Sequence, residues 1–173
     1  MFRFYAFAYA LSRIGAVVAA LAVVFMVGVI LLEIVLRSVF STSTFVTDEF
    51  VGYAVSVCVI WSLGYVLEHE ELIRVNLILS RLSPRGRDLF SAVSAFVVAL
   101  ATAGLIWMFW LRAARAWSRG TVSSSLAAVP TWIPESAMMI GLGIFLIQLV
   151  AFGLRHLYGH PSLAPRAARL FTE

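Results

Sequence analysis

Lysine is missing altogether: all 13 basic residues of this 173-residue chain are arginines, and charged residues of both signs make up only 13% of it. Soluble domains hold about 25% charged and roughly 45 to 50% apolar residues. With 62% apolar content, the chain reads as an integral membrane protein. Cysteine is nearly absent too. Cys58 stands alone in the middle of an apolar run, which excludes an internal disulfide, dithiol chemistry and a cysteine metal cluster. His69, His156 and His160 sit at or beyond the ends of apolar runs, so no pair is placed to ligate a haem inside the bilayer. His69 with Glu70 and Glu71 is a weak metal-like cluster that reads as a solvated turn. There is no glycine-rich phosphate loop, and no inverted repeat of broken helices around a midplane site. No catalytic, cofactor or metal residue is therefore assigned. The formal charge of +4 does not point to nucleic acid, because the arginines lie at the ends of apolar runs, where they anchor and orient helices.

A lipid-crossing helix rises 1.5 Å per residue and needs roughly 20 mostly apolar positions. Four stretches qualify, at about 13–36, 48–67, 88–111 and 134–155. The predicted fold is all-α: four transmembrane helices in one membrane domain over 1–160, followed by a flexible tail at 161–173. Residues 1–12, rich in aromatics, are expected to lie in the interface before the first span turns into the bilayer. The first apolar run exceeds a signal-peptide core and is expected to be retained. In the second, the acidic pair Asp48-Glu49 precedes an uncharged run from Phe50 to Leu67 whose small residues, Gly52, Ala54, Ser56, Cys58, Ser62 and Gly64, permit close helix approach. Leu72 to Leu79 is amphipathic and predicts a short surface helix between spans two and three, stopped at Ser83-Pro84, with Pro84 opening the next helix. The third span is expected to continue as a helix through Arg112, Arg115 and Arg119 to Gly120. Pro134 is expected as the first residue of the last helix, with Glu135 at its positive end.

Four spans bring both termini to one side. With the Glu68 to Asp88 segment, that side collects nine arginines; the other holds Arg37, Arg112, Arg115 and Arg119. The positive-inside rule then places both termini in the cytoplasm. The three arginines after span three run against that bias and are candidates for docking an acidic partner, with lipid headgroups as the plainer reading. Glu33 and Arg37 are four apart on one helix face, so Glu33 either bonds Arg37 or answers a charge on another helix. A small four-span membrane enzyme of the glutathione or eicosanoid type would need polar residues converging from several helices, and the polar groups thin out in the middle of every span. An independent homo-oligomeric channel or exporter would need a polar lumen; Ser56, Ser62, Thr102 and Gln148 are too scattered to line one.

Several short motifs fall in a definite order. Glu33-Ile34-Val35-Leu36-Arg37-Ser38-Val39-Phe40 closes span one, Asp48-Glu49 opens span two, and Gly64 lies near its end. Leu72-Ile73-Arg74-Val75-Asn76-Leu77 follows, then Ser125-Leu126 and Pro130-Thr131-Trp132 before span four. In this the chain resembles the small membrane subunit of tripartite ATP-independent periplasmic (TRAP) transporters, the DctQ-like family. It departs where Glu33 replaces a commonly polar residue, where Val46 and Thr47 replace an aromatic, and where Leu72 and Asn76 replace a His and an Asp. The resemblance implies a non-catalytic scaffold in the bacterial inner membrane. Its partners would be a large, roughly twelve-span subunit, which carries an organic acid with sodium, and a periplasmic substrate-binding protein. On that reading Glu33, Arg37, Asp48, Glu49 and Arg74 are candidates for subunit-interface or helix-end contacts, and Arg112, Arg115 and Arg119 for periplasmic docking.

Overall fold

The computed structural model describes residues 2–69 and 84–158. The expected surface helix, its Arg74 and the tail at 161–173 lie outside the described residues. Four α-helices account for nearly all of the rest: α1 Phe2–Phe40, α2 Thr47–Glu68, α3 Pro84–Arg119 and α4 Trp132–Tyr158. Each is long and apolar enough to cross a membrane.

On α1 and α3 most large side chains face outward and small ones inward, the reverse of a soluble bundle. On α1 the buried positions include Ala8, Ser12 and Ala19, while Val17, Leu21 and Val24 are exposed. On α3 the buried stripe is Ala92, Ala95, Ala99 and Thr102, spaced three and four apart along one face. Lipid tails are as apolar as leucine, so helix association here depends on close packing, which small residues allow. At the tightest crossing a Cβ on Gly15 would lie 2.6 Å from the carbonyl oxygen of Trp61, and one on Gly141 would lie 2.5 Å from the Trp61 ring. The Trp61 indole donates to the carbonyl of Ala137 at 2.9 Å. One residue of α2 thus fixes its approach to both α1 and α4.

Helix α4 is the hub. It packs against α1, α2 and α3, whereas α3 leans almost wholly on α4. Leu149 and Phe152 of α4 join Ala95 and Ala99 of α3 and Leu67 of α2 in one apolar cluster, and Ala151 meets Tyr5 and Ala8 of α1 in another.

Three details differ from expectation. Residues 2–12 do not form a separate interfacial piece: α1 runs unbroken, because no helix breaker stands between them and Gly15, and Tyr5 and Ala8 are packed against α4. The last helix begins at Trp132, making Pro134 its third residue. Proline is tolerated there because N–H groups of a first turn have no partner within the helix. Among the proposed close-approach sites of α2, Gly64 is tight against Ser12 and Gln148, but Gly52 faces open space. Both ends of α3 are as expected: it starts at Pro84, and Gly120, at φ +60°, ends it in the left-handed conformation that glycine supplies at a helix C-terminus.

Candidate functional site

Two clusters of polar side chains sit at opposite ends of the helices. The first lies where α1 ends and α2 begins. Glu33, 6% exposed, is almost encircled by donors. Its Oε1 accepts from Arg37 Nε at 2.7 Å and from the Ser43 hydroxyl; its Oε2 accepts from Thr44 N at 3.2 Å, Thr44 Oγ1 at 2.6 Å and Thr47 Oγ1 at 3.0 Å. Of the two partners open to Glu33, the structure shows Arg37, joined by the hydroxyl-rich link. Ser41 and Phe45 take positive φ values of 48° and 56°, and this bent backbone wraps residues 43–47 around the carboxylate. A charge at this depth is tolerable because its lone pairs are filled.

Beside it, Glu49 accepts from the hydroxyls of Tyr53, one turn on, and Ser125, in the link between α3 and α4. That link folds back on itself, with Ser123 N donating to Val129 O at 2.8 Å and Thr131 N to Thr121 O at 3.2 Å. Glu49 therefore ties the α3–α4 link to the start of α2. Asp48 points to the exterior and makes no side-chain bond among the described residues. Its charge, with that of Glu49, suits the positive end of α2.

The three arginines at the C-terminal end of α3 are exposed but not equivalent. Arg112 donates to Glu135 of α4 at 3.1 Å, and Arg115 donates to its own helix at the Leu111 carbonyl. Arg119 ends the helix. Trp117 meets Trp132 edge to face at 4.8 Å, bracing this extension against α4.

The second cluster was not anticipated. Glu68, placed by the sequence only at the start of the charged segment that follows span two, is 4% exposed and accepts from Arg155 and, at 2.7 Å, from Gln148 Nε2. Gln148 Oε1 accepts from Ser12 Oγ at 3.0 Å. This chain of bonds joins α2, α4 and α1, and the Arg155 guanidinium also lies 5.1 Å from the centre of the Phe152 ring. Gly64 makes room for it, since a Cβ there would stand 2.8 Å from Ser12 Oγ. The sequence signals were an acid at the end of one apolar run and a glutamine inside another; nothing local tied them together. By contrast the hydroxyls of Ser56, Ser62 and Thr102 turn back onto carbonyls of their own helices.

Among the described residues no group of three or more His, Cys, Asp or Glu is placed to hold a metal ion. What the two clusters do is join helix ends within the chain. The model of one protein family, described as tripartite ATP-independent periplasmic transporters, DctQ component, matches residues 26–158. That stretch takes in both acidic clusters apart from Ser12. No curated protein and no solved structure was found to match.

Proposed function

Because the chain belongs to the DctQ component family of tripartite ATP-independent periplasmic transporters and is thus a small membrane subunit of such a transporter, we propose that it serves as a scaffold. It holds a large, roughly twelve-span subunit in the bacterial inner membrane while that partner carries an organic acid with sodium, delivered by a periplasmic binding protein. The family match over residues 26–158 carries this reading. The packing supports it. Three helices are locked around Trp61, both acidic clusters are satisfied within the chain, and the outward faces of α1 and α3 are apolar between Arg13 and Arg37 and from Leu89 to Leu111. A stationary frame needs that internal rigidity.

Both termini lie in the cytoplasm on this reading, which puts the Glu33 and Glu49 end in the periplasm. The α3–α4 link and the arginine extension beside it then face the binding protein. Arg115 and Arg119 are the better docking candidates, since Arg112 is already engaged with Glu135. Exposed charge of this kind acts on encounter rate and its salt dependence. Reversing both to glutamate is expected to slow uptake and flatten its dependence on ionic strength; an unchanged rate and salt profile would remove them from the docking surface. Arg74 remains a proposed cytoplasmic anchor.

The test of the scaffold role is co-expression with a large membrane subunit of a tripartite ATP-independent periplasmic transporter, with a tag on this chain alone. A stable one-to-one complex in detergent is expected, with Glu49→Ala lowering its yield by releasing Ser125 and the α3–α4 link. A homo-oligomer that never retains the large protein would overturn the scaffold reading.

A further inference from the structure

One basic residue stands apart from the clusters. Arg13 lies on the exposed face of α1, and among the described residues it makes no hydrogen bond or ion pair. It is 24 positions before Arg37, a separation of about 36 Å along an α-helix, slightly more than a hydrocarbon core of about 30 Å. With Arg37 at one membrane surface, Arg13 is level with the headgroups of the other.

Below Arg13 the surface is hollow. A cavity of about 400 Å³ is lined by Tyr9, Arg13, Ile14, Val17 and Val18. A second, of about 370 Å³, begins at the same Val18 and continues past Leu21 to Phe25 on α1, walled by Phe50, Ala54 and Val57 of α2. The two share Val18, which makes a line of largely apolar surface along α1 with a cation at its head. From Arg13 to Phe25 it runs about 18 Å, roughly the depth of one leaflet, which is half of a core of about 30 Å.

We propose that this groove is a binding site for one anionic phospholipid, its phosphate on Arg13 and one acyl chain lying along Val18, Leu21 and Phe25 between α1 and α2. The groove is apolar where a chain would lie and positive where a headgroup would sit. A helix of another protein would match the first feature but would need an acidic residue at the headgroup level to match the second. An arginine near the membrane surface favours an anionic over a zwitterionic lipid by about fivefold. The site does not depend on the scaffold role.

The full-length chain, purified in mild detergent, would be titrated with phosphatidylglycerol or phosphatidylcholine and its bound lipids resolved by native mass spectrometry. One phosphatidylglycerol is expected to be held about fivefold more fully than phosphatidylcholine. Arg13→Gln should erase that preference. Val18→Trp, which fills the groove and leaves Arg13 in place, should reduce retention of both lipids. Equal phosphatidylglycerol retention by wild type and Arg13→Gln, or retention unaffected by Val18→Trp, would overturn the site. A photo-crosslinking residue at Leu21 in native membranes is expected to capture lipid; capture of a polypeptide instead would assign the groove to a protein partner and reject the proposal.

Discussion

Glu33 and Glu68 are hidden almost equally, at 6% and 4% exposure, yet they are satisfied in opposite ways. Glu33 is surrounded by neighbours in sequence: its partners lie 4 to 14 positions away, within the end of α1, the link that follows it and the first residue of α2. Glu68 depends on residues 80 and 87 positions away on α4, and through Gln148 on Ser12, a further 136 positions from that glutamine. The first cluster closes a hairpin. The second holds three helices in register, so its loss is felt across the whole chain.

That contrast is open to direct attack. The largest effect is expected from Glu68→Ala, which deprives Arg155 and Gln148 of their shared carboxylate; removing one side of a buried pair costs about 3 to 5 kcal/mol. Thermal unfolding in detergent would show it as a large fall in midpoint, and Glu68→Leu combined with Arg155→Met should restore most of the loss, since apolar replacement of a whole buried pair is nearly neutral. If Glu68→Ala unfolds like wild type, the cluster does not hold the helices together. Glu33→Gln should cost less, about 1.5 to 3 kcal/mol, because the amide keeps the shape but accepts fewer of the hydrogen bonds offered to the carboxylate. Its damage should stay local, read as faster hydrogen exchange in residues 42–47 with α4 unaffected. The smallest change belongs to Arg37→Ala. Arg37 is 65% exposed in its side chain, and exposed ion pairs contribute about 0 to 1 kcal/mol. The hydroxyls of Ser43, Thr44 and Thr47 remain on the carboxylate. A loss from Arg37→Ala as large as that from Glu33→Gln would show that the ion pair, rather than the ring of hydroxyls, holds the hairpin.

The same contrast explains what could be read in advance. Spans and their order are local properties of run length, and so is the four-residue spacing that made Arg37 one of two partners open to Glu33. So are the helix start at Pro84 and the stop at Gly120. The Glu68 cluster is not local. Gln148 looks like an isolated polar residue in an apolar run, and Arg155 like an anchor at a helix end, until α2 and α4 are laid side by side. The Trp61 crossing was hidden for a related reason. Gly15 and Gly141 are ordinary in sequence, and only the docked helices show that no side chain fits at either. The unbroken α1 was missed because aromatic content suggested an interfacial segment, whereas Tyr5 and Ala8 are used to pack on α4.

The dependence of α3 on α4 has a consequence for biosynthesis. Helices leave the ribosome in chain order, so α1 and α2 can pair as soon as both are inserted, with the Glu33 hairpin closed behind them. Helix α3 then enters the lipid with no established neighbour, and both Glu68 and the alanine stripe of α3 wait for the last helix to be made. Until then the carboxylate of Glu68 is without Gln148 and Arg155. Between the second and fourth insertions the nascent chain therefore lacks these contacts, and the final helix converts a hairpin and a stray span into one body.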